Sequence, residues 1–178
     1  MENTDWVSLA QTGDRAAFSE LVRLYRSGVI NVLYRMCNDA NLAEDAAQVA
    51  FIRAWQHLPT FQPHTSFRNW LYRIAINTTL DMLRREKPVA HIDDLLLSAP
   101  VERAENHIEQ QEQVLYIRKV VHALPEASRA VLILREYEGL SYQEIADTLE
   151  ISIGTVMSRL NYARGRLKEL LRPYLEEL

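Results

Sequence analysis

The sequence predicts an all-α protein: two small helical domains joined by an acidic flexible linker. Three observations carry that prediction. Apolar residues recur every three or four positions through most of the chain, no period-two alternation bounded by hairpin turns competes with them, and charge is distributed in blocks. The 178 residues are 48% hydrophobic and 25% charged, with five Gly and six Pro. That composition folds rather than staying disordered, and the length admits one domain or two small ones.

The first helix lies in "FSELVRLYRSGVINVLYRMC", where Phe18, Leu21, Val22, Tyr25, Val29, Val32 and Leu33 share one face. The second lies in "LAEDAAQVAFIRAWQHL", with Leu42, Ala46, Val49, Ile52, Ala54 and Trp55 as its apolar positions. A third follows in "FRNWLYRIAINTTLDMLRR". Its inward positions are Leu71, Ile74, Ala75, Thr78 and Met82, and Trp70, Arg73, Asn77, Asp81 and Arg84 form a polar stripe elsewhere. The preceding "FQPHTSF" supplies two aromatics, a Pro and small hydroxyl residues, the ingredients of a loop that can cup an unstacked base. Trp70 reads as packing, whereas Phe61 and Phe67 fit a base pocket and a lid on the core equally well. Asn77 offers a donor and an acceptor to a base edge, and Arg73, Arg84 and Arg85 can neutralise phosphates. These elements make a first domain of residues 1–86.

Residues 87–112 read as the linker. Lys87 and Arg103 face Asp93, Asp94, Glu102, Glu105, Glu109 and Glu112, so the whole formal net charge of −4 resides there and both flanking domains are neutral. Pro88 and Pro100 bracket "VAHIDDLLLSA" and limit it to a short helix at most.

The second domain, residues 113–178, contains the clearest local design. Ser141 caps a helix with Glu144 at its third position, and Leu140 and Ile145 form a hydrophobic staple. Ser152 repeats the start, with Ile151 and Val156 as the staple pair. A helix near 141–149 therefore turns within about three residues into a second beginning near 153, a helix-turn-helix. Val156, Leu160, Ala163 and Leu167 point inward, and Thr155, Ser158, Arg159, Tyr162 and Arg166 point outward. Between 152 and 172, Arg159, Arg164, Arg166, Lys168 and Arg172 stand against Glu169 alone. This local positive charge, not the acidic total, is what duplex phosphates would meet.

Several classes are excluded by what is missing. "MENTDWVSLAQTGDRAAF" has no basic stretch followed by an apolar run, and no segment reaches the ~18 apolar residues of a bilayer span, so a cytoplasmic location is expected. Cys37 has no second cysteine to pair with, and no Cys/His spacing, including His57 and His64, matches a metal site. No nucleophile, base and orienting group recur together, so neither an enzyme nor a cofactor is expected.

The string "GLSYQEIADTLEISIGTVMSRLNYARGRLKELL" resembles region 4 of the extracytoplasmic function (ECF) sigma factors, group 4 of the sigma-70 family. "GDRAAFSELVRLY", "AEDAAQVAFIRAW" and "FRNWLYRIAINTTLDMLRR" resemble regions 2.1, 2.2 and 2.3 to 2.4 of the same family, in the same order. The resemblance implies a sigma factor that binds core RNA polymerase and directs promoter recognition. It implies that Glu44, Asp45 and Gln48 dock the clamp coiled coil of the largest subunits. Minus-10 DNA would meet Arg53, Phe61, Phe67, Arg73, Asn77, Arg84 and Arg85. Minus-35 duplex would meet Ser152, Thr155, Ser158, Arg159, Asn161, Tyr162 and Arg166. An anti-sigma factor is a further implied partner.

Two departures stand out. Met157 occupies a position where the family usually carries Lys or Arg, which removes a charged DNA contact and shifts base reading to its neighbours. Glu150 occupies the turn position often held by Gly, so the turn either avoids the left-handed conformation or tolerates strain. The alternative reading is a free-standing helix-turn-helix regulator whose first half senses a ligand or dimerises. The aromatic loop and polar stripe of residues 61–85 are not required by such a protein.

Overall fold

The computed structural model describes residues 3–62, 66–86 and 106–175. Among these residues all regular structure is helical: α1 (Asn3–Gln11), α2 (Arg15–Cys37), α3 (Ala40–His57), a 3-10 turn (Leu58–Thr60), α4 (Phe67–Glu86), α5 (Asn106–His122), α6 (Glu126–Glu136), α7 (Tyr142–Leu149) and α8 (Ile153–Leu175). Most of the interval read as linker, 87–105, lies outside the described residues, and α5 begins inside its last part.

Capping sets the helix starts in the first module. The Asp14 carboxylate accepts from the N–H groups of Ala16 and Ala17 at 2.8 and 3.1 Å, and Asp39 does the same for Asn41 and Leu42 at 2.8 and 3.0 Å. Between them α2 ends at Asn38, whose φ of 56° is a left-handed stop that Asn adopts more readily than most residues. α3 buries Ala43, Ala46, Ala47, Ala50 and Ala54, and these small side chains let it lie close against α2 and α4. The stripe through the alanines runs at spacings of three and four and bypasses residue 52. Ile52 is therefore 58% exposed, not inward as its hydrophobicity predicts.

In the second module the Ser141 side chain accepts from the Glu144 N–H at 3.2 Å and the Glu144 carboxylate accepts from the Ser141 N–H at 2.8 Å, closing the capping box. Leu140 and Ile145 are buried beside it. Glu150 sits at φ 53°, ψ 46°, so the turn adopts the left-handed conformation and carries its strain without a glycine. Val156, Leu160 and Ala163 are buried and Leu167 packs against the core, as the inward stripe required.

The two modules pack together, α2 against α5 and α6, and α4 against α7. Arg129 of α6 is buried and donates to the carbonyls of His122 and Leu124 in its own module and to that of Met36 at the end of α2. The Tyr72 hydroxyl donates to Glu138 at 2.6 Å, and the Arg35 guanidinium lies 4.3 Å from the Tyr137 ring centre. A Cβ on Gly28 would come within 3.1 Å of the Tyr72 hydroxyl, so the glycine makes room for that approach. Burial and the bond to Glu138 push the Tyr72 phenol pKa well above its usual value.

Candidate nucleic-acid interfaces

The first surface is α8. Its inward stripe is anchored, and Arg164 fixes it laterally by donating to Glu136 of α6 at 2.7 Å. The Ser152 hydroxyl accepts from the Thr155 N–H at 3.1 Å, and the Ser152 and Thr155 hydroxyls lie 2.8 Å apart, so both residues form the helix cap. Ser158 donates back to the Thr155 carbonyl at 3.0 Å, and Arg166 pairs with Glu169 at 2.9 Å on the open surface. Ser158, Asn161, Tyr162 and Arg166 are exposed and Arg159 is half-buried. The seven residues singled out on this helix thus occupy its start and one continuous outer face. A rigid helix with an open outer side and a positive surplus has the form of a major-groove reader.

The second surface is the loop before α4 and the outer side of that helix. Pro63, His64 and Thr65 lie outside the described residues. Phe61, Phe67 and Trp70 are buried, with ring centres 4.9 to 6.0 Å apart in tilted and edge-on contacts. Trp70 is packing, as expected, and so leaves the polar stripe to which the spacing assigned it, because the two phenylalanines enclose it. Phe61 is also tied to the first helix, since Gln11 donates to the carbonyls of Leu58 and Phe61 at 3.2 and 2.8 Å. Asn77, Arg84 and Arg85 are exposed. Arg73 is half-buried and pairs with Glu150 across the module boundary. Arg53 is engaged inside its own module, donating to Thr78 at 3.1 Å and Asp81 at 3.2 Å. A cleft of about 880 Å³ opens between the modules, with His57, Phe61, Trp70 and Arg73 on one wall and Asp147 and Glu150 on the other.

The third surface belongs to α3, where Glu44, Asp45 and Gln48 are all exposed. Ile52 extends this face by one turn, so an apolar side chain accompanies the acidic and amide groups. Hydrophobicity alone had placed Ile52 in the core. The three-and-four spacing from Asp45 through Gln48 is the signal that places it outside. The cross-module partners Tyr72, Glu138 and Arg129 were also missed, and only tertiary packing reveals them.

Among the described residues no cluster of His, Cys, Asp or Glu could hold a metal ion, and no helix is long and apolar enough to cross a membrane.

These faces define a two-module helical protein whose second module carries a helix-turn-helix. The model for sigma-70 region 2 matches residues 21–89 and that for sigma-70 region 4 matches residues 115–167. The chain is 36% identical to the RNA polymerase sigma-H factor of Pseudomonas aeruginosa, with 96% of this chain and 94% of that protein covered. It is 33% identical to the ECF RNA polymerase sigma factor SigW of Bacillus subtilis, covering 93% and 95%. CnrH, solved in complex with the cytosolic domain of CnrY, shares the fold with a TM-score of 0.72 at 24% identity, covering 94% of this chain and 96% of that one. The sigma factor RpoE of Bartonella quintana, solved with the anti-sigma factor NepR, gives 0.64 at 24% identity over 87% and 96%. The chain belongs to the ECF group of sigma-70 factors. It is an RNA polymerase sigma factor, a transcription initiation factor, and the reading as a free-standing regulator is not favoured.

Proposed function

We propose that the α3 face carrying Glu44, Asp45, Gln48 and Ile52 docks core RNA polymerase, that α8 reads minus-35 duplex, and that the 61–85 surface captures melted minus-10 DNA. The division of labour follows residues 1–86, the connector 87–112 and residues 113–178. The protein works in the cytoplasm and performs no chemistry itself: its binding energy selects the promoter and holds the separated strand. The observation that carries this reading is α8, buried along Val156, Leu160 and Ala163 and open along Ser158, Asn161 and Tyr162. The minus-10 assignment rests on Asn77, Arg84 and Arg85, which are accessible in this arrangement, with Arg73 joining them once it leaves Glu150. An anti-sigma factor such as the one bound by the B. quintana relative is a fitting partner, with the cleft between the modules as its seat.

Asn77 tests the minus-10 assignment without disturbing the core. With the chain on core polymerase and a pre-melted minus-10 template carrying each base in turn, Asn77→Ala should weaken discrimination at one position by about 1–3 kcal/mol. Full base preference in the variant would make Asn77 a surface residue with no reading role.

A further inference from the structure

We propose that Ile153 and Met157 read thymine methyl groups in the minus-35 major groove. The inference rests on α8 being the duplex-reading helix. Ile153 is 42% and Met157 54% exposed, and they stand four residues apart in the first turns of α8. That spacing places them one above the other on the same side, with their Cβ atoms about 6 Å apart. They do not belong to the core stripe, which runs through Val156, Leu160 and Ala163.

The polar neighbours strengthen the assignment. Ser152 and Thr155 are committed to the helix cap and Ser158 donates back to a carbonyl of its own helix. The side chains that reach outward from the first turn and a half, unencumbered by local bonds, are therefore the two apolar ones. Gly154 between them adds no bulk, and a Cβ built there meets nothing nearer than the Ser152 hydroxyl at 3.8 Å. The N-terminal residues of such a helix are the ones that reach base edges. Two large apolar side chains on a positively charged helix gain nothing from phosphates. Among the base edges of the major groove, the apolar group on offer is the C5 methyl of thymine. With base pairs stacked about 3.4 Å apart, side chains ~6 Å apart meet methyls one or two base pairs apart.

The test uses the full chain bound to core RNA polymerase and a duplex library randomised across the minus-35 window. The wild type should select two thymines one or two base pairs apart. Replacing either by uracil, which removes only the methyl, should weaken binding about fourfold, the effect of burying one methyl-sized group. Met157→Lys should abolish the uracil effect at one of the two positions, leave it at the other, and steepen the salt dependence by about one counterion. Ile153→Ala should do the converse without the salt effect. Sharp selection that is indifferent to uracil, or a uracil effect that survives both substitutions, would overturn methyl reading and leave α8 as the recognition helix. Loss of all sequence selection in the wild-type complex would overturn the assignment of α8 itself.

Discussion

The two candidate DNA surfaces differ in how ready they are. On α8 the outer residues face solvent and the helix is held from behind, so the surface is already formed in the free chain. At the start of α4 the aromatics are packed together, and Arg73 is paired with a residue of the other module. The difference fits the targets proposed for the two surfaces. A duplex presents its edges to a rigid helix, whereas a single strand must have a base drawn out of its stack and received in a pocket. A preformed pocket lined by three exposed aromatic rings would be costly in the free protein, and here those rings complete the core.

The largest contrast should appear in stability. Phe61 is 8% exposed and touches Phe67 and Trp70, so Phe61→Ala should cost about 3–5 kcal/mol in denaturant unfolding. Tyr162→Ala, on the open face of α8, should stay within about 0.5 kcal/mol. Equal losses would erase the distinction between a structural and a ready surface. Any promoter defect of Phe61→Ala must accordingly be judged against its folding, which is why Asn77 is the cleaner probe.

Glu150→Gly sharpens the comparison from the other side. It relieves the left-handed strain at φ 53°, by about 1 kcal/mol, while it removes the carboxylate that holds Arg73. The helix-turn-helix should become no less stable, and affinity of the free chain for a single-stranded oligonucleotide should rise by up to about fivefold, the scale of one exposed ion pair. Unchanged single-strand affinity would mean that Glu150 does not compete for Arg73.

The smallest effect concerns the start of α7, the helix packed against α8. The Ser141 N–H, followed by its hydroxyl, holds the Glu144 carboxyl below its usual value of 4.5. A carboxyl lowered in the folded state stabilises fully above its ordinary value and loses that contribution as pH falls through the lower folded one. Glu144→Gln should therefore cost about 1 kcal/mol or less near neutrality and approach the wild type in acid, a convergence visible in paired thermal melts.

What was legible in the sequence was local. The capping box at Ser141, the cap at Ser152 and the stripe of Val156, Leu160 and Ala163 are spacings within single helices, and each is present in the structure. α4 was only half legible, because it is covered from two sides. Beyond the expected Leu71 and Ala75, Tyr72, Ile76 and Thr79 are also buried, and no single stripe describes such a helix. Glu150 was visible as an unusual turn residue, but its partner Arg73 lies 77 positions away. Arg129 and Met36 are 93 positions apart, and a carbonyl accepting from an arginine leaves no mark on residue identity. At residue 157 the methionine could be read directly, whereas its exposure beside Ile153 required the packed helix.

The central claim, that two surfaces on one chain become a promoter reader through core polymerase, is tested most directly by binding of one promoter duplex at a fixed salt concentration to the chain alone, to core polymerase alone and to the mixture. Docking both modules on one scaffold makes the second DNA contact intramolecular, which raises avidity by about 10² to 10⁴ without any new contact. The account predicts weak binding by each component and tight, sequence-specific binding by the mixture. Tight, specific binding by the chain alone, unchanged by core polymerase, would contradict it.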